Sequence, residues 1–392
     1  MTIVKTAEDL VEPIKSTVIQ WRRNLHQNPE LSYQEEGTSQ FVYETLQSFG
    51  DLTVTRPTKT SVMAQLKGGK PGKVLALRAD IDALPIHEKT ELSFSSQKPR
   101  VMHACGHDGH TAMLLGAAKV LTKLKNTICG EVRFIFQHAE EMFPGGAKEM
   151  VEAGVMEGVD EVFGLHLFPM FPAGKIGLCS GPFTANDDVF DIEIVGKGGH
   201  AAQPHQSVDP IAIGAQVVSN LQHILSRTTD PLHDAVLSIT EFHGGTAKNI
   251  IPDFVKLGGG VRSFDAQVRQ DTVKNMERIV KGVTEAHQAS YIFDYHYGYD
   301  SVYNDPELTG KIEEIVINHF GANSLLILQP LLIGEDFSRY LQKAPGCFIG
   351  IGAAFKNDEL NYPLHHPNFN IDENSLEIGL KLLVYIAATL LK

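Results

Sequence analysis

The sequence predicts an α/β protein with a mostly parallel sheet, helices on both sheet faces, and a smaller inserted domain of ferredoxin-like βαββαβ order. Two observations predict this fold. Short apolar runs alternate with stretches of helical periodicity over residues 1–185 and 298–392, whereas residues 186–297 contain alternating strands around two amphipathic helices. The length of 392 residues also exceeds one ordinary domain.

The first domain is predicted from its apolar runs in chain order. Residues 7–48 have helical periodicity with a break near Pro29, and residues 113–124 repeat apolar side chains at helical spacing. Buried strands are predicted at 73–78, 131–136 and 161–167, each ending in polar residues. After the insertion, runs at 326–333 and 347–352 return the chain to this domain, and a final helix is predicted near 374–391.

The inserted domain is predicted from strands with one solvated face. They lie at 188–195, 235–242, 254–262 and 291–296, with helices at 210–225 and 268–288. This order of strand, helix, two strands, helix and strand is the ferredoxin-like order.

The composition is that of a soluble globular protein, with 43% hydrophobic and 21% charged residues. A net charge of -13 without a run of Lys or Arg argues against nucleic acid and anionic membranes as partners. The four widely spaced cysteines do not suggest a disulfide framework. Because the first residues lack the apolar core of a signal peptide, and the apolar stretch 382–391 is too short to span a bilayer, we expect a cytoplasmic protein.

One segment, Met102-His-Ala-Cys-Gly-His-Asp-Gly-His110, concentrates a thiol and three imidazoles. Cys105 and His107, two residues apart, can direct their side chains to one point. Thiolate and imidazole are ligands that Zn²⁺ accepts readily, so the segment predicts a metal site. The alternative is a structural patch whose polar groups satisfy one another.

Other polar residues follow the predicted strands, at the sheet edge where open α/β sheets bind ligands. Glu140 and Glu141 form an adjacent pair. One can bind metal while the other accepts a proton from water, although such pairs are often only solvated charges. His166 lies in an otherwise apolar strand and is either a metal ligand or a hydrogen-bonded core residue. His365 and His366 lie in a Pro-flanked loop that either closes the metal site or is an exposed turn.

These segments together resemble the metal-dependent aminoacylase and carboxypeptidase superfamily, in particular its branch of hippurate hydrolases, N-acyl-amino-acid amidohydrolases and plant auxin-conjugate hydrolases. The resemblance covers essentially the whole chain, and its motifs occur in order: Arg78-Ala-Asp-Ile-Asp-Ala-Leu-Pro85, Met102 to His110, Ala139-Glu-Glu141, Gly164-Leu-His166, Gly198-Gly-His-Ala-Ala-Gln-Pro-His205, Asn249-Ile-Ile-Pro252, Gly334-Glu-Asp-Phe337 and Leu364-His-His-Pro367.

The resemblance implies a centre for one or two divalent ions of zinc, manganese, cobalt or nickel. Its implied ligands are Cys105, His107, Glu141, His166 and His365. His365 is preferred to His366 because the family's ligand stands two residues before the proline. Glu140 would be the general base, and Asp80 stands where related branches carry a ligand histidine, which Cys105 would replace. Asp82 would steer His107.

The resemblance also implies that the inserted domain is a lid and a dimerisation domain, giving a homodimer or higher homo-oligomer. His200 would polarise the scissile carbonyl, from the same or a partner subunit. Asn249 and Arg262 would hold the substrate; the alternative for Arg262 is a surface charge on a strand. His138 replaces a proline that is common in relatives, and its role is open.

The expected reaction is hydrolysis of an N-acyl amino acid to a carboxylic acid and a free amino acid. One alternative is a dipeptidase or carboxypeptidase acting on short peptides, which would use the same catalytic residues. Another is a metal-binding protein without catalysis, which the intact glutamate pair disfavours.

Overall fold

The computed structural model describes residues 3–392, and these residues form two compact units. The larger unit comprises the described residues up to Phe183 together with Val302–Gln329 and Asp336–Lys392, and the smaller comprises Thr184–Ser301 and Pro330–Glu335. The smaller unit thus includes Pro330–Glu335, which the sequence prediction placed in the first domain.

The helices and strands are numbered in chain order through both units. The helices are α1 (Ile3–Val11), α2 (Lys15–Gln27), α3 (Glu36–Gln47), α4 (His107–Lys123), α5 (Gly146–Glu152), α6 (Pro210–His223), α7 (Ala266–Ala286), α8 (Pro306–Phe320), α9 (Ser338–Leu341) and α10 (Asn374–Leu390). The strands are β1 (Thr53–Thr55), β2 (Val62–Lys67), β3 (Lys70–Asp80), β4 (Cys129–Gln137), β5 (Glu161–Pro172), β6 (Ile176–Leu178), β7 (Gly181–Thr184), β8 (Asp188–Val195), β9 (Gly199–His200), β10 (Ala235–Gly244), β11 (Ile250–Ile251), β12 (Phe254–Ser263), β13 (Ser290–His296), β14 (Val302–Asn304), β15 (Leu325–Ile327) and β16 (Gly346–Ala354).

An eight-stranded sheet organises the larger unit, in the order β1-β2-β4-β3-β5-β16-β6-β15. Its central strands β4, β3, β5 and β16 run parallel, and β1, β2 and β6 add antiparallel pairings. Because these central strands are buried over most of their length, they have continuous apolar runs rather than alternation. The mixed α/β fold with a mostly parallel sheet is confirmed.

Helix α4 is the most buried helix near the sheet, and it packs between α2 and α10. Gly106, at φ 99°, precedes it in the left-handed conformation that glycine adopts without a Cβ penalty. The helix therefore begins directly at His107. The two glycines Gly116 and Gly379 let α10 approach this helix, since added Cβ atoms there would lie 3.0 Å from Leu380 and 2.2 Å from Met113.

The smaller unit has a four-stranded antiparallel sheet in the order β10-β12-β8-β13, with α6 and α7 packed against it, and a two-stranded antiparallel ribbon of β9 and β11. Taken in chain order, its elements are β8, α6, β10, β12, α7 and β13, the ferredoxin-like order. Asp209 and Asp265 cap α6 and α7 by accepting backbone N–H groups of the first helical turn. None of the helices within residues 3–392 combines the length and apolarity needed to cross a membrane.

Candidate metal centre

The polar residues predicted at the sheet edge meet at the carboxyl ends of the central strands. Strand β3 ends at Asp80, which is in register with Gln137 at the end of β4, and β5 carries His166. The loop before α4 contributes Cys105, and the helix contributes His107 from its first position. Parallel strands share the direction of their carboxyl ends, so residues distant in sequence converge here.

The five residues proposed as ligands lie together in the larger unit. The Cys105 Sγ lies 3.4 Å from the His166 Nε2, and the His365 Nε2 lies 3.3 Å from the Glu141 Oε1. The His107 Nε2 lies 3.8 Å from the same glutamate oxygen. Potential ligand atoms lie within 4.8 Å of one another in several groups: Cys105, His107 and His166; Cys105, Glu141 and His365; His107, Glu140 and Glu141.

The donor set fits a divalent transition metal. Two of its atoms, His107 Nε2 and Glu141 Oε1, are buried and form no hydrogen bond with any described residue. A buried polar atom without a hydrogen bond is destabilising unless something else satisfies it. One thiol, three imidazoles and a carboxylate are donors that zinc and its neighbours in the transition series accept. A metal ion at this site would satisfy both atoms.

Asp82 orients the side chain of His107 and holds the backbone of Glu141. Its Oδ1 lies 3.2 Å from the His107 Nδ1, and its backbone oxygen lies 3.0 Å from the same nitrogen. Its Oδ2 accepts hydrogen bonds from the Ser32 hydroxyl at 2.7 Å and from the Glu141 backbone N–H at 3.0 Å. With the proton of His107 on Nδ1, its Nε2 is left as the electron-pair donor. This is the carboxylate–histidine arrangement found around protein-bound metals.

Asp80 has a supporting position. Its carboxylate accepts a hydrogen bond from the Arg78 guanidinium at 2.8 Å and lies 2.6 Å from the His110 Nδ1. The backbone N–H of Leu167 donates to the His110 Nε2 at 2.9 Å, which places the proton of a neutral His110 on Nδ1, facing Asp80. The preceding residue in β5, His166, has its Nδ1 2.9 Å from the Leu167 carbonyl, and its Nε2 therefore faces Cys105.

The carboxylates at this edge favour positive charge. Burial opposes protonation of His107, but the carboxylates of Asp80 and Asp82 outweigh it and raise the pKa of His107 to about 10. Burial also raises the pKa of the Cys105 thiol, and the charges of Glu141, Glu140 and Asp80 raise it further. The same field favours a bound cation, which would need a deprotonated thiolate and imidazole.

The glutamate pair follows a strained turn. Ala139 has φ 49°, an uncommon conformation for a residue with a Cβ, and its N–H donates to the buried Glu35 Oε1 at 2.8 Å. Burial, with the nearby charge of Asp82, raises the pKa of Glu35 to about 7. The Glu140 Oε2 lies 3.9 Å from the His107 Nε2, almost as near as the Glu141 oxygen. The two carboxylates thus both lie close to the His107 Nε2, although adjacent residues in an extended strand would point in opposite directions.

A buried ionic network lies next to the centre, and sequence reasoning gave it no role. Arg78 donates to Gln137, Asp80 and Asp336 at 2.8–2.9 Å, and Asp336 also accepts hydrogen bonds from Gln137 and the Ala147 N–H. Burial raises the pKa of Asp336 to about 6, although the guanidinium opposes this shift. An arginine inside an otherwise apolar strand was the available sequence signal, because buried cations need partners.

A second network involves Asp108, the residue after His107. Its Oδ2 accepts a hydrogen bond from the Arg22 Nε at 2.8 Å and lies 2.8 Å from the His26 Nδ1. The other nitrogen of His26 lies 3.1 Å from the Glu88 carboxylate. Burial opposes the charge on His26, but Asp108 and Glu88 raise its pKa. These contacts fix the beginning of α4 and thus the position of His107.

Two further buried histidines, His138 and His103, lie outside these groups. The His138 Nε2 lies 3.1 Å from a carboxylate oxygen of Glu149, and its ring packs edge-on against Tyr33. This pairing gives His138 a structural partner. His103 is buried, its ring nitrogens form no hydrogen bond with the described residues, and burial lowers its pKa to about 4. It is therefore a neutral ring at neutral pH.

The remaining predicted site residues lie in the smaller unit. His200 lies in β9 and pairs with Ile250 of β11, and Asn249 directly precedes β11; His200 and Asn249 are both exposed. The Ala202 N–H donates to the His200 Nδ1 at 3.1 Å, which leaves the proton of a neutral ring on Nε2 as a donor. Arg262 lies elsewhere in this unit, near the end of β12, and forms an ion pair with Asp187.

Comparison with known proteins identifies close relatives. The model of peptidase family M20/M25/M40 matches residues 76–389. An N-acyl-L-amino acid amidohydrolase of Geobacillus stearothermophilus is 61% identical over 298 residues, covering 76% of this chain and 80% of the relative. Thermostable carboxypeptidase 2 of Saccharolobus solfataricus is 42% identical over 97% of this chain and 96% of its own length. The crystal structure of the YXEP protein of Bacillus subtilis is similar to this chain, with a TM-score of 0.85 and 36% sequence identity over 97% of this chain and 99% of that chain. That protein is described as a dinuclear metal binding peptidase from the M20 family.

Proposed function

The chain belongs to peptidase family M20/M25/M40, and from this membership we propose that it hydrolyses the amide bond of N-acyl amino acids, releasing a carboxylic acid and a free amino acid. The similarity to an N-acyl-L-amino acid amidohydrolase supports this substrate class. The observation that carries the proposal is the juxtaposition of Glu140 with the candidate ligands His107 and Glu141 at one sheet edge.

We assign the metal ligands as Cys105, His107, Glu141, His166 and His365. When bound there, a divalent metal supplies Lewis-acid chemistry, polarising the substrate carbonyl and lowering the pKa of a water molecule. Glu140 accepts the proton of the attacking water and passes it to the nitrogen of the leaving amine as the amide C–N bond breaks. Asp82 holds His107 in the tautomer that leaves Nε2 free to bind metal.

We assign substrate recognition to the smaller unit. The Nε2–H of a neutral His200 is the donor that an oxyanion needs. The planar guanidinium of Arg262 suits the free carboxylate of an amino acid, and Asn249 lies beside His200 to contribute polar contacts. Closure of this unit as a lid would exclude bulk water from the reaction.

A carboxypeptidase or dipeptidase activity is the second candidate, favoured by the 42% identity with thermostable carboxypeptidase 2. It would use the same catalytic residues, so only substrates distinguish the two activities. N-acetyl, N-benzoyl and dipeptide substrates should be compared side by side. Faster hydrolysis of the dipeptides than of the acyl amino acids would favour the peptidase.

The decisive variant is Glu140→Gln. We expect kcat on the best substrate to fall by about 10²- to 10⁴-fold, the usual contribution of a general base, with metal content unchanged. The matched control is Glu152→Gln. This variant removes an exposed carboxylate on α5 whose Oε1 lies 3.9 Å from the Lys148 Nζ. A Glu140→Gln enzyme that retains metal and wild-type kcat would contradict the assignment. A protein that binds no metal and hydrolyses nothing on the panel would refute the whole proposal.

The number and identity of the metal ions are part of the proposal. The Cys105 thiolate favours zinc, and manganese, cobalt and nickel are the alternatives. Elemental analysis of protein purified without chelator, followed by activity measurements after replacement with each metal, distinguishes them.

We also propose that the smaller unit joins two or more copies of the chain. Strand β13 is an edge strand of its sheet, and the exposed apolar side chains Ile292 and Val189 lie on this unit. Unpaired edges with apolar neighbours are suited to association between chains. Sedimentation analysis should show a dimer or larger assembly that Ile292→Lys weakens. A wild-type protein that sediments as a monomer would contradict the proposed association.

A cytoplasmic location stays a prediction, which cell fractionation can test.

A further inference from the structure

We propose that Asp187 is a specificity-determining residue that competes with the substrate carboxylate for Arg262. This inference rests on the proposed function, in which Arg262 binds the carboxylate of the amino-acid part of the substrate. It adds that this guanidinium is already paired within the protein, so that each substrate must displace or share an internal carboxylate.

The pair is formed by residues whose backbones are held together. Asn186, next to Asp187, donates its backbone N–H to the Ser263 carbonyl at 2.8 Å, and Ser263, next to Arg262, donates its N–H to the Asn186 Oδ1 at 2.9 Å. The Asn186 side-chain amide also donates to the Val261 carbonyl at 3.3 Å. Asn186 thereby fixes the backbone on both sides of Arg262, and the ion pair spans two adjacent, tied segments.

The position of Asp187 is restricted from two further directions. Its backbone N–H donates to the Tyr299 carbonyl at 3.1 Å. A Cβ on Gly298 would lie 1.6 Å from the Asp187 carbonyl oxygen, and a Cβ on Gly334 would lie 2.8 Å from its Oδ2. Only glycine leaves room for Asp187 at both places. The packing of these neighbours therefore holds the Asp187 carboxylate close to the Arg262 guanidinium.

Arg262 also faces space that a ligand can enter. It lines a cavity of about 600 Å³ within the smaller unit, together with Phe190, Leu332 and the glycine run Gly258–Gly260. Sites for small molecules commonly measure about 300–1,000 Å³. The three glycines contribute only backbone to the cavity wall, and the acidic side chains of Asp191 and Glu241 line it as well. A carboxylate ligand in this cavity would meet a guanidinium that Asp187 already neutralises.

The pair is open enough to solvent to be displaced. The side chains of Arg262 and Asp187 are 29% and 35% exposed, and exposed ion pairs contribute little to stability. A substrate carboxylate bound beside Asp187 would also experience like-charge repulsion. Removing the Asp187 charge should therefore tighten binding of carboxylate-bearing substrates by about two- to fivefold. This is the ratio of binding constants that corresponds to the free energy of one exposed ion pair. Substrates without a carboxylate should gain nothing.

The test compares Asp187→Asn with wild type on an N-acetyl amino acid and on its C-terminal amide. We expect KM for the acid to fall about two- to fivefold with kcat changed less, and KM for the amide to stay within error. Asp271→Asn is the matched control, because Asp271 is an exposed aspartate on α7 of the same unit, 3.6 Å from Lys274. It makes the same change in net charge away from Arg262.

The outcomes separate this inference from the proposed function. If Asp187→Asn raises KM for the acid, Asp187 positions Arg262 and does not compete with the substrate, and the inference is wrong. It is also wrong if acid and amide change equally, or if Asp271→Asn has the same effect. Arg262→Gln tests whether Arg262 binds the substrate carboxylate. If this variant loses the preference for acid over amide, that role of Arg262 stands whatever Asp187→Asn shows. If no N-acyl amino acid is hydrolysed at all, the proposed function itself fails.

Discussion

Asp82→Asn should weaken metal binding through the tautomer of His107. In the wild-type protein the Asp82 Oδ2 accepts two hydrogen bonds, from Ser32 and the Glu141 N–H, while Oδ1 faces the His107 Nδ1 at 3.2 Å. An asparagine keeps one acceptor oxygen. The two donors on the Oδ2 side should hold that oxygen, so the amide NH₂ turns toward His107.

That NH₂ favours the ring tautomer with its proton on Nε2, the atom proposed to bind metal. The Asp82 backbone carbonyl, 3.0 Å from Nδ1, still favours the original tautomer and limits the effect. Substitutions of residues that orient metal ligands weaken affinity by about 10- to 100-fold. Because the carbonyl remains, we expect about tenfold, or ~1.4 kcal/mol.

The assay is zinc titration in competition with a chromophoric chelator, together with kcat at saturating metal. The matched control is Asp160→Asn. Asp160 also accepts a backbone N–H, from Val74 at 2.7 Å, but near the opposite end of β3. Asp82→Asn protein that binds zinc as tightly as wild type would refute the argument that Asp82 sets the tautomer. Equal weakening in both variants would show a general effect on the sheet.

Three further predictions concern stability. Burial raises the pKa of Glu35 to about 7, so between pH 4.5 and 7 the folded protein keeps a proton that the unfolded chain has released. As pH rises through this range, the unfolding free energy of wild type, measured by urea denaturation, should fall by up to about 3 kcal/mol relative to Glu35→Gln. A pH-independent difference between the two proteins would contradict this prediction. Gly164→Ala should cost about 1–3 kcal/mol, because its Cβ would lie 2.8 Å from Phe348 and 2.9 Å from Phe337. Gly310→Ala on α8 should instead gain about 0.4–1 kcal/mol, because its Cβ would meet no atom of the described residues within 4 Å apart from chain neighbours and the helix's own backbone; the reverse order of melting temperatures would refute the packing argument. Removing metal with a chelator should lower the melting temperature, and restored metal should recover it; an unchanged melting temperature would contradict a metal site built into the fold.

The sequence predicted much of the fold because its signals are local. Apolar runs located the buried strands of the larger sheet, and alternation located the strands of the smaller one. The glutamate pair and His166 were found as candidates because each follows or ends such a run, and parallel strands bring their ends together. The Pro-flanked loop offered two candidate histidines, and the choice of His365 over His366 depended on the resemblance to a family.

The parts that sequence reasoning did not assign depend on pairings over long distances. Arg78 and Asp336 are 258 residues apart, and nothing in either local pattern indicates that they form an ion pair. The tautomer of His110 depends on the Leu167 N–H, 57 residues along the chain. The ion pair of Arg262 with Asp187 likewise requires the tertiary structure. Hydrogen-bond geometry, which sequence periodicity does not encode, decides each of these features.

The order in which the candidate ligands occur along the chain has a consequence for biosynthesis. Cys105 and His166 lie before the smaller unit and His365 lies after it, so the ribosome must complete that unit before the last ligand emerges. Domains generally fold as units during synthesis, and here the larger unit is interrupted. We therefore expect metal to be acquired after translation of residue 365, and a nascent chain stalled before that position to retain zinc more weakly than the released protein.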